Sequence, residues 1–307
     1  PGDGEKNLRD CKWTKSFELT IPADWISGVY LGKMTSEVSG MQSYIIFIVK
    51  DDRKADFLFQ CSDFTWQSYN RWPEWRSGYD WYFENGEHNP WSSDDGPEIS
   101  FNRPYTFYFN GLPAGVGAAR FIGTGEFLMW ELPLAYWMEA KGYDVSYISN
   151  LDVHTNGNEL LRAKAFLSIG HDEYWTREMY DHVSAARDAG VNLLFLSGNS
   201  VSGLIYLKPD SNGIPGRVMG RIERFKDEEK LMGGKSYGVG LGDWTCVLPA
   251  HWIFKGTGMK KGDIIKDLDA PFLAESGDFQ LKSGIINQKH RIRLEFDNVL
   301  FHIPEHQ

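Results

Sequence analysis

The sequence predicts an α/β protein built on a mostly parallel sheet flanked by helices. Two observations predict this fold class: strands and helices alternate between residues 124 and 200, and Gly142, Thr176 and Gly190 mark where helices of that stretch begin or end. Alternation at this spacing is typical of right-handed βαβ crossovers. A smaller β-rich, sandwich-like region is predicted at residues 1–54, so we expect the α/β domain to occupy residues 55–307.

The first part of the chain reads as short strands. Residues 16–20 alternate in polarity, residues 28–31 resume a strand after a turn, and residues 44–49 form a continuous apolar run. A buried-type strand is predicted at residues 56–60. Residues 77–100 are rich in Gly, Asn, Asp, Pro and Trp without periodicity, which predicts a long loop.

The clearest elements lie between residues 124 and 200. Apolar residues at helical spacing predict a helix over residues 126–140 that Gly142 ends, and Thr176 is placed to cap a helix running to residue 189 before Gly190. A short helix is predicted at residues 159–163. The intervening strands are predicted at residues 143–148, 165–169 and 191–196, and later strands at residues 247–254, 291–296 and 299–303.

Composition excludes several classes of partner. A formal net charge of −10 argues against a nucleic-acid partner, which would need a basic face. No apolar run approaches the ~20 residues that span a bilayer, so no membrane partner is expected. The three scattered cysteines, Cys11, Cys61 and Cys246, argue against a disulfide framework and a zinc–thiolate site. A reducing cytoplasm is therefore the expected location.

Polar clusters follow three of the predicted strands, at residues 62–70, 170–175 and 197–199. Ligands bind beyond the carboxyl ends of strands in open parallel sheets, so we expect these clusters to form one site. His171 and Glu173 are candidates for metal ligands or an acid–base pair. Asp172 is compatible with the simpler role of a helix cap.

Nucleophilic hydrolase motifs are not found. The region around Ser197 does not form a GxSxG elbow, and HExxH, Walker and GxGxxG patterns are missing. Cys61 follows a strand, and pairing it with His171 would give a cysteine hydrolase. A buried free cysteine is the favoured interpretation, because no second feature supports the pair.

Five segments carry a resemblance to a known family. Residues 65–70 (TWQSYN), 101–105 (FNRPY), 142–145 (GYDV), 170–175 (GHDEYW) and 197–199 (SGN) stand in the order found in the large subunit of N,N-dimethylformamidase. The chain resembles the C-terminal portion of that family over about residues 16–260. The resemblance implies a fold like that of class I glutamine amidotransferases for the α/β domain, which would be the catalytic domain.

The resemblance also implies a mononuclear ferric iron held by Tyr69, Tyr105 and Glu173, with His171 and Asn199 beside it. Phenolate and carboxylate oxygens are hard donors that suit such an ion. The implied reaction is hydrolysis of a small N-substituted amide to acid and amine, with the iron acting as a Lewis acid and His171, Glu173 and Asn199 taking part in catalysis. A small amide substrate, a small subunit and a homo-oligomer are the implied partners.

Alternatives remain open from the sequence. Tyr79 or Tyr82 would serve as the second tyrosine ligand in place of Tyr105, and without the resemblance Tyr69 and Tyr105 would be read as packed, hydrogen-bonded core residues. A metal-free hydrolase would use Cys61 or a carboxylate as its nucleophile. The 15% aromatic content also fits a module that binds carbohydrate or another ligand through exposed Trp residues, namely Trp72, Trp75, Trp81 and Trp91.

Overall fold

The structure is a computed structural model that describes residues 8, 10–15, 17–40, 42–70, 72, 98–105, 127–234 and 244–265. The strands of these residues are, in chain order, β1 (Gly28–Thr35), β2 (Gln42–Val49), β3 (Ala55–Cys61), β4 (Ile99–Ser100), β5 (Val145–Ser149), β6 (Ala163–His171), β7 (Tyr174–Trp175), β8 (Asn192–Gly198), β9 (Gly203–Lys208), β10 (Val218–Arg224), β11 (Trp244–Thr245) and β12 (Ile264–Ile265). The α-helices are α1 (Asp63–Ser68), α2 (Leu132–Ala140), α3 (Asn150–Thr155), α4 (Arg177–Asp188) and α5 (Glu228–Met232).

A four-stranded parallel sheet with the order β5-β3-β6-β8 forms the centre, as predicted. Its strands are buried on both faces, which is why they read as apolar runs rather than alternating patterns. Leu58 and Phe166 pack on the face covered by α3 and α4, whereas Phe59 and Leu167 pack on the face covered by α2 and the β1–β2 hairpin. The predicted α/β architecture is confirmed.

Helix α4 shows how local sequence sets one of these elements. Thr176 has an extended backbone, and its hydroxyl accepts a hydrogen bond from the Met179 amide at 3.2 Å, so it is the N-cap that the sequence predicts. Met179, Val183 and Ala186 are buried on one face of the helix. Burial of side chains such as Met179 and Val183 contributes roughly 1.5–3 kcal/mol each.

Strands β1 and β2 form an antiparallel hairpin in the N-terminal region, with Gly28 opposite Val49. Val29 and Leu31 join the same core group as Phe59 of the parallel sheet. The hydroxyl of Ser27 accepts a hydrogen bond at 2.8 Å from the amide of Tyr147 on β5, at the edge of that sheet. Among the described residues of the region 1–54, this hairpin has its strands at residues 28–35 and 42–49, whereas residues 17–20, which the sequence predicts as a strand, have no regular secondary structure. The boundary at residue 54 remains a prediction.

Several elements differ from the prediction. The helix predicted at residues 126–140 is a π-helical turn, Phe127–Glu131, followed by α2, and the helix predicted at 159–163 is a 3-10 helix, Gly157–Arg162. The strand predicted at 247–254 is wrong, because that segment holds a 3-10 helix, Trp252–Phe254. A mixed sheet, β4-β10-β9-β7, was not predicted. The strands predicted at 291–296 and 299–303, and most of the loop at 77–100, lie outside the described residues.

Within the described part of the chain, none of the helices has the length and apolar character needed to cross a lipid bilayer.

Candidate functional site at the carboxyl edge of the parallel sheet

The polar segments that follow β3, β6 and β8 meet at one edge of the sheet. The hydroxyl oxygen of Ser62, just after β3, lies 3.2 Å from the carbonyl oxygen of Ile169 on β6. The backbone amide of Asp172, just after β6, donates to the hydroxyl of Ser197 on β8 at 2.8 Å. The parallel strands thus bring together the three polar clusters that the sequence separates, as their shared edge requires.

The carboxylate of Glu173 is the centre of this edge. Its Oε2 accepts a hydrogen bond from the Tyr69 hydroxyl at 2.6 Å and lies 3.3 Å from Nε2 of His171. The rings of Tyr69 and His171 are in contact, with centroids 5.0 Å apart. Glu173 and His171 are only 3% and 5% exposed, so these contacts are formed away from bulk water. Hydrogen bonds to a charged group in such surroundings are stronger than at the surface.

Glu173 is held as an anion despite its burial. Burial alone would raise the pKa of Glu173, but the hydrogen bond and charge of His171, the charge of Arg221 and the Tyr69 hydroxyl together lower the pKa below its usual value. A buried carboxylate kept ionised by such neighbours is an oxygen donor suited to a hard cation.

Asn199 lies near the same ring nitrogen of His171 as Glu173 does. Its side-chain amide nitrogen is 3.5 Å from Nε2 of His171. Asn199 has a φ of +47° and Val201 a φ of +55°, a conformation that is a clear outlier for a β-branched residue. The backbone amide of Val201 donates to the Asp172 carbonyl at 3.2 Å, which helps to fix this turn. Such strain costs of order 1–3 kcal/mol per residue and clusters at functional sites.

Tyr105 has a different set of described contacts. It is half-buried, packs beside the core group that contains Trp66 and Phe127, and hydrogen-bonds the side chain of Gln67. Burial and the negative charge of Asp63 raise the pKa of Tyr105 above its usual value. The geometry that unites Tyr69 with Glu173 therefore does not by itself include Tyr105, whose role as a ligand stays a prediction. Trp72 is half-buried, and the other named alternatives lie outside the described residues, namely Trp75, Tyr79, Trp81, Tyr82 and Trp91.

Asp172 is not a helix cap, because Thr176 caps α4. It is fully buried, and its carboxylate accepts hydrogen bonds from three side chains. These donors are Gln60 at 2.5 Å, Ser168 at 2.7 Å and Asn150 at 3.2 Å. Burial raises the pKa of Asp172 to about 6, although the three hydrogen bonds act in the opposite direction.

Glu131 is a buried acid that the sequence analysis missed. One oxygen accepts hydrogen bonds from the Ser62 hydroxyl at 2.6 Å and the Trp66 indole at 2.7 Å, whereas the other has no partner among the described residues. Burial raises the pKa of Glu131 to about 8. Because an unpaired buried carboxylate is costly, the neutral acid is the favoured form near pH 7. The available signal was an acid between Trp130 and Leu132 in an otherwise apolar helical pattern.

Glu131→Gln should flatten the pH dependence of stability. The pKa of Glu131 rises from 4.5 to about 8 on folding, so its favourable contribution is fully present below pH 4.5 and is lost as the pH rises through about 8. Between pH 6 and 9 the wild type should lose about 3 kcal/mol more unfolding free energy than the glutamine variant. Urea unfolding of both proteins at the two pH values measures this difference. Equal losses in both proteins would contradict the assignment.

Fold and site together define an α/β domain with a buried carboxylate and imidazole and a half-buried phenol at the carboxyl edge of its parallel sheet. The chain belongs to the N,N-dimethylformamidase beta subunit-like family, whose model of the C-terminal region matches residues 2–271. It is 25% identical over 228 residues to the N,N-dimethylformamidase beta subunit of Paracoccus aminophilus, a match that covers 67% of this chain and 30% of that protein. The N,N-dimethylformamidase beta subunit of Alcaligenes sp is 26% identical over 230 residues, with the same two coverages.

The matched region is thus about a third of the length of these relatives. Within the described part of the chain, no group of three or more His, Cys, Asp or Glu side chains is arranged to hold a metal ion. The ligand set implied by the resemblance contains two tyrosines and one carboxylate, so it is not a cluster of that kind.

Proposed function

We propose that this chain carries the active site of an amide hydrolase that cleaves a small N-substituted amide, of the dimethylformamide type, to an acid and an amine. The observation that carries the proposal is the convergence of Tyr69 and His171 on one buried oxygen of Glu173, at 2.6 and 3.3 Å. Membership of a family whose relatives are named N,N-dimethylformamidase subunits supports the reaction class.

We propose that Tyr69 and Glu173 hold a ferric iron, with Tyr105 as the third ligand. The donor chemistry fits such an ion, since Glu173 is kept anionic in a buried site and the phenol oxygen of Tyr69 already lies against it. When bound, the iron would act as a Lewis acid on the substrate carbonyl. The support for Tyr105 is the family resemblance, because its described hydrogen bond is made to Gln67.

The remaining roles fall to His171 and Asn199. Nε2 of His171 lies between the Glu173 carboxylate and the Asn199 amide, so the imidazole can hold a proton there and pass it to the departing amine. The Asn199 side chain offers an N–H donor to the substrate carbonyl as negative charge develops on its oxygen. The burial of both His171 and Glu173 keeps bulk water from competing for these hydrogen bonds.

Three broader features complete the proposal. We propose that the scaffold is of the class I glutamine amidotransferase type, on the basis of the confirmed parallel sheet and flanking helices. The relatives are named as beta subunits, which supports assembly with another subunit. We propose from the family resemblance that this partner is a small subunit and that further copies of the chain join the assembly. Cys11, Cys61 and Cys246 are all free thiols, which is consistent with a reducing compartment such as the cytoplasm.

The direct test combines metal analysis with a product assay. Protein loaded with ferric iron should bind about one ion per chain, absorb visible light through tyrosinate-to-iron charge transfer, and release dimethylamine from N,N-dimethylformamide. Tyr69→Phe should weaken the visible band, because Tyr105 would remain as the second phenolate ligand, and should remove most of the activity while the protein stays folded. Full activity in protein in which elemental analysis detects no metal would overturn the role of iron. Iron binding without amine release from a panel of small amides would overturn the proposed reaction.

Cys61 should be dispensable. It is fully buried in the core group with Phe59 and Trp66, and burial together with the negative charge of Glu131 raises the pKa of its thiol well above the usual range. Because the thiolate is the nucleophile in cysteine hydrolases, this environment is unsuited to that role. Cys61→Ala should therefore keep the rate of amine release within about twofold and lower stability by about 1 kcal/mol. If folded Cys61→Ala protein no longer released amine, the result would favour a metal-free hydrolase with Cys61 as its nucleophile.

A further inference from the structure

Asp172, the residue between His171 and Glu173, follows β6 directly and hydrogen-bonds to strands of the parallel sheet. Successive residues of an extended chain point to opposite sides. His171 and Glu173 accordingly contact each other, whereas Asp172 points into the protein and is fully buried. Its carboxylate contacts named above are all with protein side chains, so any effect of Asp172 on chemistry must act through its neighbours.

The partners of Asp172 come from every strand of the parallel sheet. Gln60 lies on β3 and Ser168 on β6, Asn150 directly follows β5, and Ser197 of β8 accepts the Asp172 backbone amide. A single side chain and its amide therefore tie together the four strand ends that form the floor of the site. Hydrogen bonds in a buried network of this kind strengthen one another, so they hold the four segments in fixed relative positions.

Asn150 extends this network to the helix that carries Tyr69. While its amide nitrogen donates to Asp172, its side-chain oxygen accepts from the Phe64 amide at 3.0 Å. The backbone amide of Asn150 donates to Asp63 at 2.7 Å. Asp63 and Phe64 lie in the first turn of α1. In the last turn of the same helix, the Tyr69 backbone amide donates to the Thr65 carbonyl at 3.1 Å. The chain of contacts from Asp172 through Asn150 and α1 thus ends at the phenol that meets Glu173.

We infer that Asp172 is a positioning residue: through Asn150 and α1 it sets Tyr69 against Glu173. This inference rests on the proposed function, because it assigns a purpose to the Tyr69–Glu173 pair. Thr65 provides a second connection in the same direction, since its hydroxyl accepts the Glu173 backbone amide at 3.1 Å. Partners that orient metal ligands in this way typically change affinity or activity by 10–100-fold when mutated.

The test variant is Asp172→Asn, which keeps the shape but removes the negative acceptor. The side-chain oxygen of Gln60, Oε1, is buried without a partner among the described residues. The Gln60 amide can therefore rotate so that this oxygen accepts a hydrogen bond from the new asparagine amide, and the fold can survive. Asp152→Asn is the matched control, because Asp152 lies two residues after Asn150 in the same helix, α3, but its carboxylate contacts Ser149 and Lys50 rather than Asp172. If Asp172→Asn does not fold, Asn150→Ala breaks the same connection and leaves Gln60 and Ser168 in place.

The deciding readout is proton NMR of the metal-free protein. A hydroxyl hydrogen-bonded to a carboxylate at 2.6 Å gives a downfield resonance, which Tyr69→Phe identifies by removing it. Asp172→Asn or Asn150→Ala should shift or abolish this signal, whereas Asp152→Asn should preserve it. In the iron-loaded protein the first two variants should lower kcat by 10–100-fold with little change in KM.

The inference would be overturned if folded Asp172→Asn protein kept the Tyr69 resonance and kcat and lost only melting temperature. Asp172 would then act through stability alone. The NMR measurement needs neither iron nor turnover. A chain that hydrolyses no amide yet loses the Tyr69 signal in Asp172→Asn would therefore refute the proposed function while supporting the positioning role.

Discussion

Glu173→Gln should abolish iron binding and reduce amine release by at least about 100-fold. The substitution keeps the size of the side chain but replaces a charged oxygen that the Tyr69 hydroxyl and the His171 imidazole both approach. A neutral amide is a poor ligand for ferric iron and cannot stabilise a proton on His171. Elemental analysis, the visible spectrum and the rate of dimethylamine release measure the three consequences on one preparation.

Glu178→Gln is the matched control for this experiment. Glu178 lies five positions further along the chain, in the first turn of α4, and its side chain is 61% exposed. Its removal should change neither iron content nor rate by more than about twofold, because exposed charges contribute little. A Glu173→Gln protein that keeps its iron and at least a tenth of its activity would show that the carboxylate is not the central donor.

Much of the sheet and its helices follows from local signals in the sequence. The apolar runs of β3, β6 and β8 and the cap at Thr176 are local, and the structure has each of them close to the predicted bounds. The mixed sheet is different, because β4 and β7 are only two residues long and are strands only through their partners. Pairing between distant short segments leaves no periodic trace.

The candidate site divides in the same way. His171 and Glu173 were found because charged residues concentrate after a strand, where parallel sheets place their ligands. Tyr69 is predicted as a ligand only by the family resemblance, because nothing in the sequence around a tyrosine at the end of a short helix indicates a function. Its contact with Glu173 spans 104 positions of sequence, and only the folded structure supplies it. The burial of Glu131 is not predicted from the sequence, because a single acid in an apolar helical pattern normally marks an exposed position.

Gly170→Ala should have a large effect on both stability and activity. Gly170 has a φ of +74°, and an added Cβ would lie 2.7 Å from Cβ of Trp130 and 3.1 Å from its backbone carbonyl carbon. The left-handed conformation costs an alanine roughly 1–2 kcal/mol, and forcing atoms into a packed interior adds roughly 1–3 kcal/mol. Because His171 is the next residue, any shift that relieves the clash moves the imidazole. Unfolding free energy should fall by about 3 kcal/mol and amine release by more than tenfold.

Gly142→Ala separates the two causes of that loss. Gly142 has a φ of +76° but meets no atom within 4 Å of an added Cβ, so the variant carries the conformational cost without the clash. It should lose about 1 kcal/mol, as expected for a glycine that follows a helix, and keep its activity. Urea unfolding measures the loss of unfolding free energy in both variants. Equal losses would show that the contact between Trp130 and Gly170 does not fix the turn before His171. An excess loss in Gly170→Ala, accompanied by slower turnover of the folded protein, would tie the geometry of the active edge to this single contact.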